Sequence, residues 1–217
     1  MSDYIVSAIK MGIIETLQMT FFASILAYVG GLPLGILLYA TAKDRILSNR
    51  PVNFVLGLII NICRSLPFLI LLVLLIPFTR FVTGSSIGTT ASIVPLTVGA
   101  IPIVARMVES SLSEVPVGII EAASSMGASP LYIINHFILP EATPSLLLGA
   151  AINIATVLGY SAMAGVIGGG GLGAIALQYG YYRYQKEVLW TAVTILVIMV
   201  MVIQEGGNLI AKRARKQ

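Results

Sequence analysis

Long apolar runs alternate with short polar breaks along this chain, and a yardstick of about 20 residues per bilayer crossing divides it into five spans. The first runs from about Ile13 to Ala40, followed by a polar loop with Lys43, Asp44, Arg45 and Arg50 that ends at Pro51. The second is ambiguous at its start. Val52 to Ile62 is apolar but Asn61 and Arg64 interrupt it, the strong run is Leu66 to Phe78, and Arg80 closes it. A short loop, Thr83 to Ser86, leads to a third span from about Ile87 to Val108, ended by Arg106 and Glu109. Pro95 and Pro102 inside it are expected to kink the helix or leave carbonyls free. Thr143-Pro144 supplies a cap-plus-proline start for a fourth span to about Ile167. The fifth covers about Val188 to Ile203, ahead of a basic C-terminal segment. This pattern predicts an all-α, polytopic membrane protein that folds as a single domain over residues 1–217.

Between the third and fourth spans lies Glu121 to Pro140, EAASSMGASPLYIINHFILP, which is too polar to cross a bilayer. Its local signals predict two short helices with a break. The first begins near Pro116 and stops at Gly127, a residue that takes the left-handed conformation ending many helices. The second starts with Ser129 as N-cap and Pro130 at the first helical position. Leu131, Ile134 and Phe137 recur on one face, with Tyr132, Asn135 and His136 on the others. Leu139-Pro140 is expected to close the unit, because the residue before a proline disfavours helix. A compact helix-break-helix between spans suits docking; the plainer alternative is an amphipathic loop on the membrane surface.

Glu121-Ala122-Ala123, Gly127 after three residues, and Leu139-Pro140 at the end resemble the EAA loop of ATP-binding-cassette (ABC) importer permeases. Phe137 stands where that family usually has isoleucine, which keeps the position apolar. The resemblance implies that this stretch is the coupling helix, seated in a groove of an ATPase subunit. The fold it implies is that of a type I ABC importer permease: five transmembrane helices and a cytoplasmic coupling helix.

Composition narrows the class. Of 217 residues, 57% are hydrophobic and only 10% charged, against roughly 25% charged in soluble domains. The net charge of +4 is therefore no argument for nucleic acid, because the basic residues cluster beside apolar runs and act as orientation determinants. With the C-terminus inside, the cytoplasmic segments hold Lys43, Arg45, Arg50, Arg106, Lys212, Arg213, Arg215 and Lys216. The outside holds Lys10, Arg80, Arg183 and Lys186, half as many. The positive-inside rule then predicts an external N-terminus and places Glu121 to Pro140 in the cytoplasm. No signal-peptide pattern precedes the first run, which is expected to remain as a span.

Chemistry-bearing motifs are few. Gly168 to Gly173 lacks the Gly-Lys-Ser/Thr that a phosphate loop needs, and is expected to form a flexible turn leading into a short interfacial helix. His136 is the only histidine, so neither a metal cluster nor a catalytic triad is expected, and no cofactor is implied. Glu15 and Glu205 lie near span ends, where they are expected to reach water rather than form a proton relay. Cys63, a lone cysteine, has no intrachain disulfide partner and reads as a small packed residue. Gly31-x-x-x-Gly35 allows close helix approach, with simple packing as its expected role. Arg64 is the exception, an arginine within an apolar run. Its guanidinium meets a substrate carboxylate, or snorkels to the interface and pins the helix.

Several segments also resemble the methionine-importer permeases of the ABC class. They include Ile93-Val94-Pro95-Leu96-Thr97-Val98-Gly99-Ala100, Gly159-Tyr160-Ser161-Ala162-Met163, and Gly170-Gly171-Leu172-Gly173 followed by Gln178-Tyr179-Gly180-Tyr181. Arg64-Ser65-Leu66-Pro67-Phe68 is similar to a segment of amino-acid permeases. The resemblance implies a non-enzymatic transport subunit in the bacterial cytoplasmic membrane. Its partners would be a second copy, two ATPase subunits below, an extracytoplasmic binding protein above, and surrounding lipid. Tyr160, Ser161 and Met163, with Arg64, are the candidate lining of the substrate path. Two alternatives remain: a permease for another small solute, or a secondary transporter, which needs internal repeats and buried coupling residues. A membrane-embedded scaffold would need no coupling loop.

Overall fold

A computed structural model describes residues 3–214; Arg215 and Lys216 lie outside the described residues. The first helix, α1 (Asp3–Thr41), runs past both predicted limits of the first span. Its main partner is α5 (Thr89–Ser113). Their contact is set by the two predicted glycines: a Cβ added at Gly31 would stand 2.6 Å from the Cβ of Val104, and one at Gly35 2.5 Å from the Ala105 carbonyl oxygen. Neither position has room for a side chain, so the two backbones meet directly. Met19, Ala23 and Ala27 of α1 and Leu96, Ala100 and Val108 of α5 are buried in the same core cluster. Pro95 and Pro102 lie within α5 without ending it, and the helix runs on past Arg106 and Glu109 to Ser113.

The predicted second span is broken. Asn49 caps α2 (Arg50–Ser65), its side-chain oxygen accepting the Val52 N–H at 3.2 Å. Leu66 then turns extended, as the residue before Pro67 must. The next helix, α3 (Phe68–Leu74), departs at 100° to α2. A further short helix, α4 (Ile76–Thr83), ends at Gly84 in the left-handed region. The apolar run from Leu66 to Phe78 is thus two short helices beyond a bend, and the polar interruption at Asn61 and Arg64 marks the approach to it.

After α6 (Val117–Ser125) and α7 (Pro130–Ile133), a wide turn over Ile134–Ile138 passes directly into α8 (Leu139–Ala164). Two expectations fail here. Leu139-Pro140 does not close the coupling unit, and Thr143-Pro144 does not start the fourth span. The rod is helical from Pro130 to Ile167, 38 residues long. The Leu139 N–H reaches back to the Ile134 carbonyl, and this enlarged turn absorbs the missing donor and bulk of the proline that follows. Thr143 lies inside the helix, its hydroxyl donating to the Leu139 carbonyl at 2.9 Å.

The glycine-rich segment departs furthest from expectation. Gly168, Gly170 and Gly171 take φ of 84°, 80° and 75°, a backbone path that L side chains rarely follow. They fold the chain back so that α9 (Gly171–Ile175) is buried throughout, packed on α1 and on the end of α8. The turn is tightly held against the rest of the fold, where a flexible one was expected. Glu15, expected to reach water, is half-buried and bonded to its first residue. The chain then enters α10 (Lys186–Ala214).

Among the described residues, α1, α5, the α7–α8 rod and α10 are each long and apolar enough to cross a membrane, and there are five spans when the bent α2–α3 pair is counted as one.

Candidate functional site

The candidate coupling element is built around Gly127, at φ 78°. The Ala128 N–H donates to the Ala123 carbonyl at 3.2 Å and the Gly127 N–H to the Ser124 carbonyl at 3.0 Å. These two bonds, one reaching back five residues and one three, form a Schellman cap that satisfies the last carbonyls of α6. Ala123 is fully buried, and Ala128 packs against the same core, which supplies the apolar contact that accompanies such a cap. The alanine and glycine of the motif are therefore two parts of one helix stop. Ser129 occupies the N-cap position of α7, with extended backbone but no side-chain capping bond.

One face of the element enters the core through Ile120, Ala123, Ile133, Ile134 and Ile138. Phe137 and Leu139 pack against that core from its edge. Leu131, grouped by its spacing with Ile134 and Phe137, is 69% exposed, while Ile133, Ile134 and Ile138 are buried. Glu121, Ala122 and Pro140 are exposed. Met126, at 73% exposure, joins Leu131 and the half-exposed Tyr132 as apolar side chains held out from the fold. Tyr132 stacks on His136 with centroids 4.1 Å apart, and His136 Nδ1 lies 3.2 Å from the Tyr132 carbonyl. The result is an apolar knob with Glu121 on its surface. Spacing analysis missed Met126, whose place at the cap of α6, beside a left-handed glycine, was the available signal.

The candidate pathway residues separate into two groups. Arg64, on the last turn of α2, lines two adjoining cavities. One is small and walled by Cys63, Phe68, Gly99, Ile103 and Tyr160; within it Phe68 stacks on Tyr160 with centroids 4.0 Å apart and planes 5° apart. The other, about 540 Å³, is lined by Arg64, Arg106, Glu109, Ser110 and Ser113. Ser161 is buried and its hydroxyl donates to the Leu158 carbonyl at 2.7 Å. Met163 is 46% exposed and lines neither cavity. Arg64 and Tyr160 thus share a cavity, while Ser161 and Met163 lie apart from it.

Arg106 and Glu109, expected at the end of a span, form a network within α5 and with α2. Arg106 Nη1 donates to Glu109 Oε2 at 2.6 Å, and Nη2 donates to Asn61 Oδ1 at 3.0 Å, tying α5 to α2. Oppositely charged residues three apart on a helix were the legible part. Arg64 makes no ion pair among the described residues. Among the described residues, no three His, Cys, Asp or Glu side chains converge as a metal site would require.

A family model described as "Binding-protein-dependent transport system inner membrane component" matches residues 31–215. A protein of Vibrio cholerae described as a probable D-methionine transport system permease, MetI, is 49% identical over 199 residues, covering 92% of this chain and 88% of that one. The D-methionine transport system permease MetI of Escherichia coli K12 is 50% identical over 165 residues, 76% of each chain. Among solved structures, one of inward-facing conformations of the MetNI methionine ABC transporter superposes with a TM-score of 0.97 at 48% identity, over 99% of both chains. An amino acid ABC transporter superposes with a TM-score of 0.79 at 25% identity, over 96% of this chain and 94% of that one. A likeness over nearly the full length, in sequence and in fold, leads to one conclusion: this chain belongs to the inner membrane components of binding-protein-dependent transport systems.

Proposed function

We propose that this chain is the membrane-spanning subunit of an ABC importer that carries methionine or a close analogue into the cell, working as a homodimer. Two ATPase subunits dock on the knob of Met126, Leu131 and Tyr132 beside Glu121, and an extracytoplasmic binding protein delivers cargo from the opposite side. The N-terminus faces outward and the C-terminus the cytoplasm. The chain itself catalyses nothing; ATP hydrolysis belongs to the partner. One observation carries the coupling: the helix that begins at Pro130 beside the Gly127 cap is the same rod that bears Tyr160. A tilt imposed on the docking knob is therefore passed along one continuous helical rod to the substrate-facing segment. Methionine as cargo is supported by the near full-length likeness to permeases described for D-methionine.

Uptake of labelled methionine into proteoliposomes holding the permease, its ATPase and its binding protein tests this. Uptake should need all three and ATP. Uptake by the permease alone, driven by an ion gradient, would replace this reading with secondary transport.

A further inference from the structure

The geometry points to a second substrate station, one that recognises the charged backbone of an amino acid on the release side of Tyr160, built from Arg64 and Glu109. It rests on the importer reading given above. Arg64 is shared by the aromatic pocket of Tyr160 and Phe68 and by the 540 Å³ cavity that holds Glu109. The space is shallow and open to its surroundings, so it can receive a small molecule without enclosing it. A free amino acid carries a carboxylate and an ammonium, and each is costly to strip of water without a partner. The cavity lining offers one group for each. The Arg64 guanidinium has no ion-pair partner among the described residues and presents the fork that fits a carboxylate. Glu109 spends Oε2 on Arg106, and an ionised carboxylate has further acceptor sites, so Oε1 remains for an ammonium.

Arg106 and Asn61 act here as positioning residues. Asn61 holds Nη2 of Arg106 and Nη1 holds Glu109, which fixes the acid on the wall opposite α2. Ile103 and Met107, in the same lining, provide an apolar bed for the side chain, Met107 being held in place by its sulfur, which accepts the Ser111 hydroxyl at 3.7 Å. The space beside Tyr160 and Phe68 is only about 20 Å³, too small for an amino acid, so the cargo meets the Arg64 guanidinium from the wider space. The site is open and its two charges stand on different helices, so it holds the cargo briefly and releases it.

The test uses the complete transporter in proteoliposomes, measuring methionine uptake and ATP hydrolysis on one preparation. Arg64→Gln and Glu109→Gln should each lower methionine carried per ATP hydrolysed by about tenfold, the loss of one charge-assisted contact. Arg64→Lys should recover part of it. Size-exclusion chromatography checks assembly; if Glu109→Gln fails to assemble, the Arg64 pair alone decides. An unchanged ratio in Arg64→Gln overturns the station. So does a parallel fall of uptake and hydrolysis, which marks a structural role. If the unmodified complex shows no ATP-driven uptake, the importer reading itself is wrong, and that outcome is distinct from the other two.

Discussion

Glu15 and Gly171 are joined by a 2.6 Å hydrogen bond, the Gly171 N–H donating to Glu15 Oε2 across 156 positions of sequence. Beside it the Leu172 N–H donates to the Thr16 hydroxyl at 2.9 Å. Two of the first N–H groups of α9 are therefore satisfied by α1 rather than by residues of their own loop. Removing the acceptor leaves a donor without a partner in a half-buried place. Glu15→Ala should cost about 1.5–3 kcal/mol, read as a lower Tm of the purified protein. Glu15→Gln, which keeps an acceptor oxygen, should fall between. A Glu15→Ala protein that melts with the unmodified one would show that the bond adds nothing.

Gly127 tests the coupling element. No atom lies within 4 Å of where its Cβ would stand, so the cost of substitution is conformational and not a collision. Left-handed backbone costs an L residue roughly 1–2 kcal/mol, and more when the side chain branches at Cβ. Gly127→Val should insert in the membrane yet bind the ATPase more weakly and lose uptake. Gly127→Asn, a residue that tolerates this region, should retain most of both. Equal activity in the valine and asparagine variants would detach the φ of Gly127 from coupling.

How much of this was legible beforehand follows from how local each signal is. Gly127 was, because a left-handed helix stop depends only on its neighbours. Gly31 and Gly35 were, because spacing alone places them on one stripe. Pro140 and Pro144 misled for the complementary reason. Local rules place proline at helix ends, whereas here the wide turn over Ile134–Ile138 lets the helix continue through Pro140, and Pro144 lies inside α8. The break at Pro67 was hidden inside an apolar run, since hydropathy does not register a 100° change of direction. The burial of Gly171 to Ile175 depends on Glu15 and Thr16, and no window along the chain contains both partners.

Orientation is open to a direct chemical test. In a Cys63→Ala background, single cysteines at exposed positions should report their side to a membrane-impermeant thiol label. Tyr184→Cys, in the exposed turn before α10 at 87% exposure, should be labelled in intact cells. Ser129→Cys, exposed at the start of α7, should be labelled only after permeabilisation. Labelling of Ser129→Cys in intact cells would invert the topology and put the docking knob on the wrong side for an ATPase.

The line taken by the substrate can be probed at two residues that the sequence grouped together and the fold separates. Ser161 has its hydroxyl committed to Leu158 and its surface buried, so Ser161→Ala should transport methionine at close to the normal rate. Met163 is nearly half exposed on the same rod, two positions further along, and its thioether suits an apolar, sulfur-bearing cargo. Its exposure leaves it available to the path of the proposed homodimer. Replacing it by the bulkier Trp should block uptake while the complex assembles and its ATPase still responds to the binding protein, both measured on one proteoliposome preparation. Blocked uptake with intact hydrolysis would place the obstruction in the path and not in the coupling element. Normal uptake by Met163→Trp would move the path to the cavity of Arg64 and Tyr160 alone, with Met163 facing lipid or a neighbouring subunit.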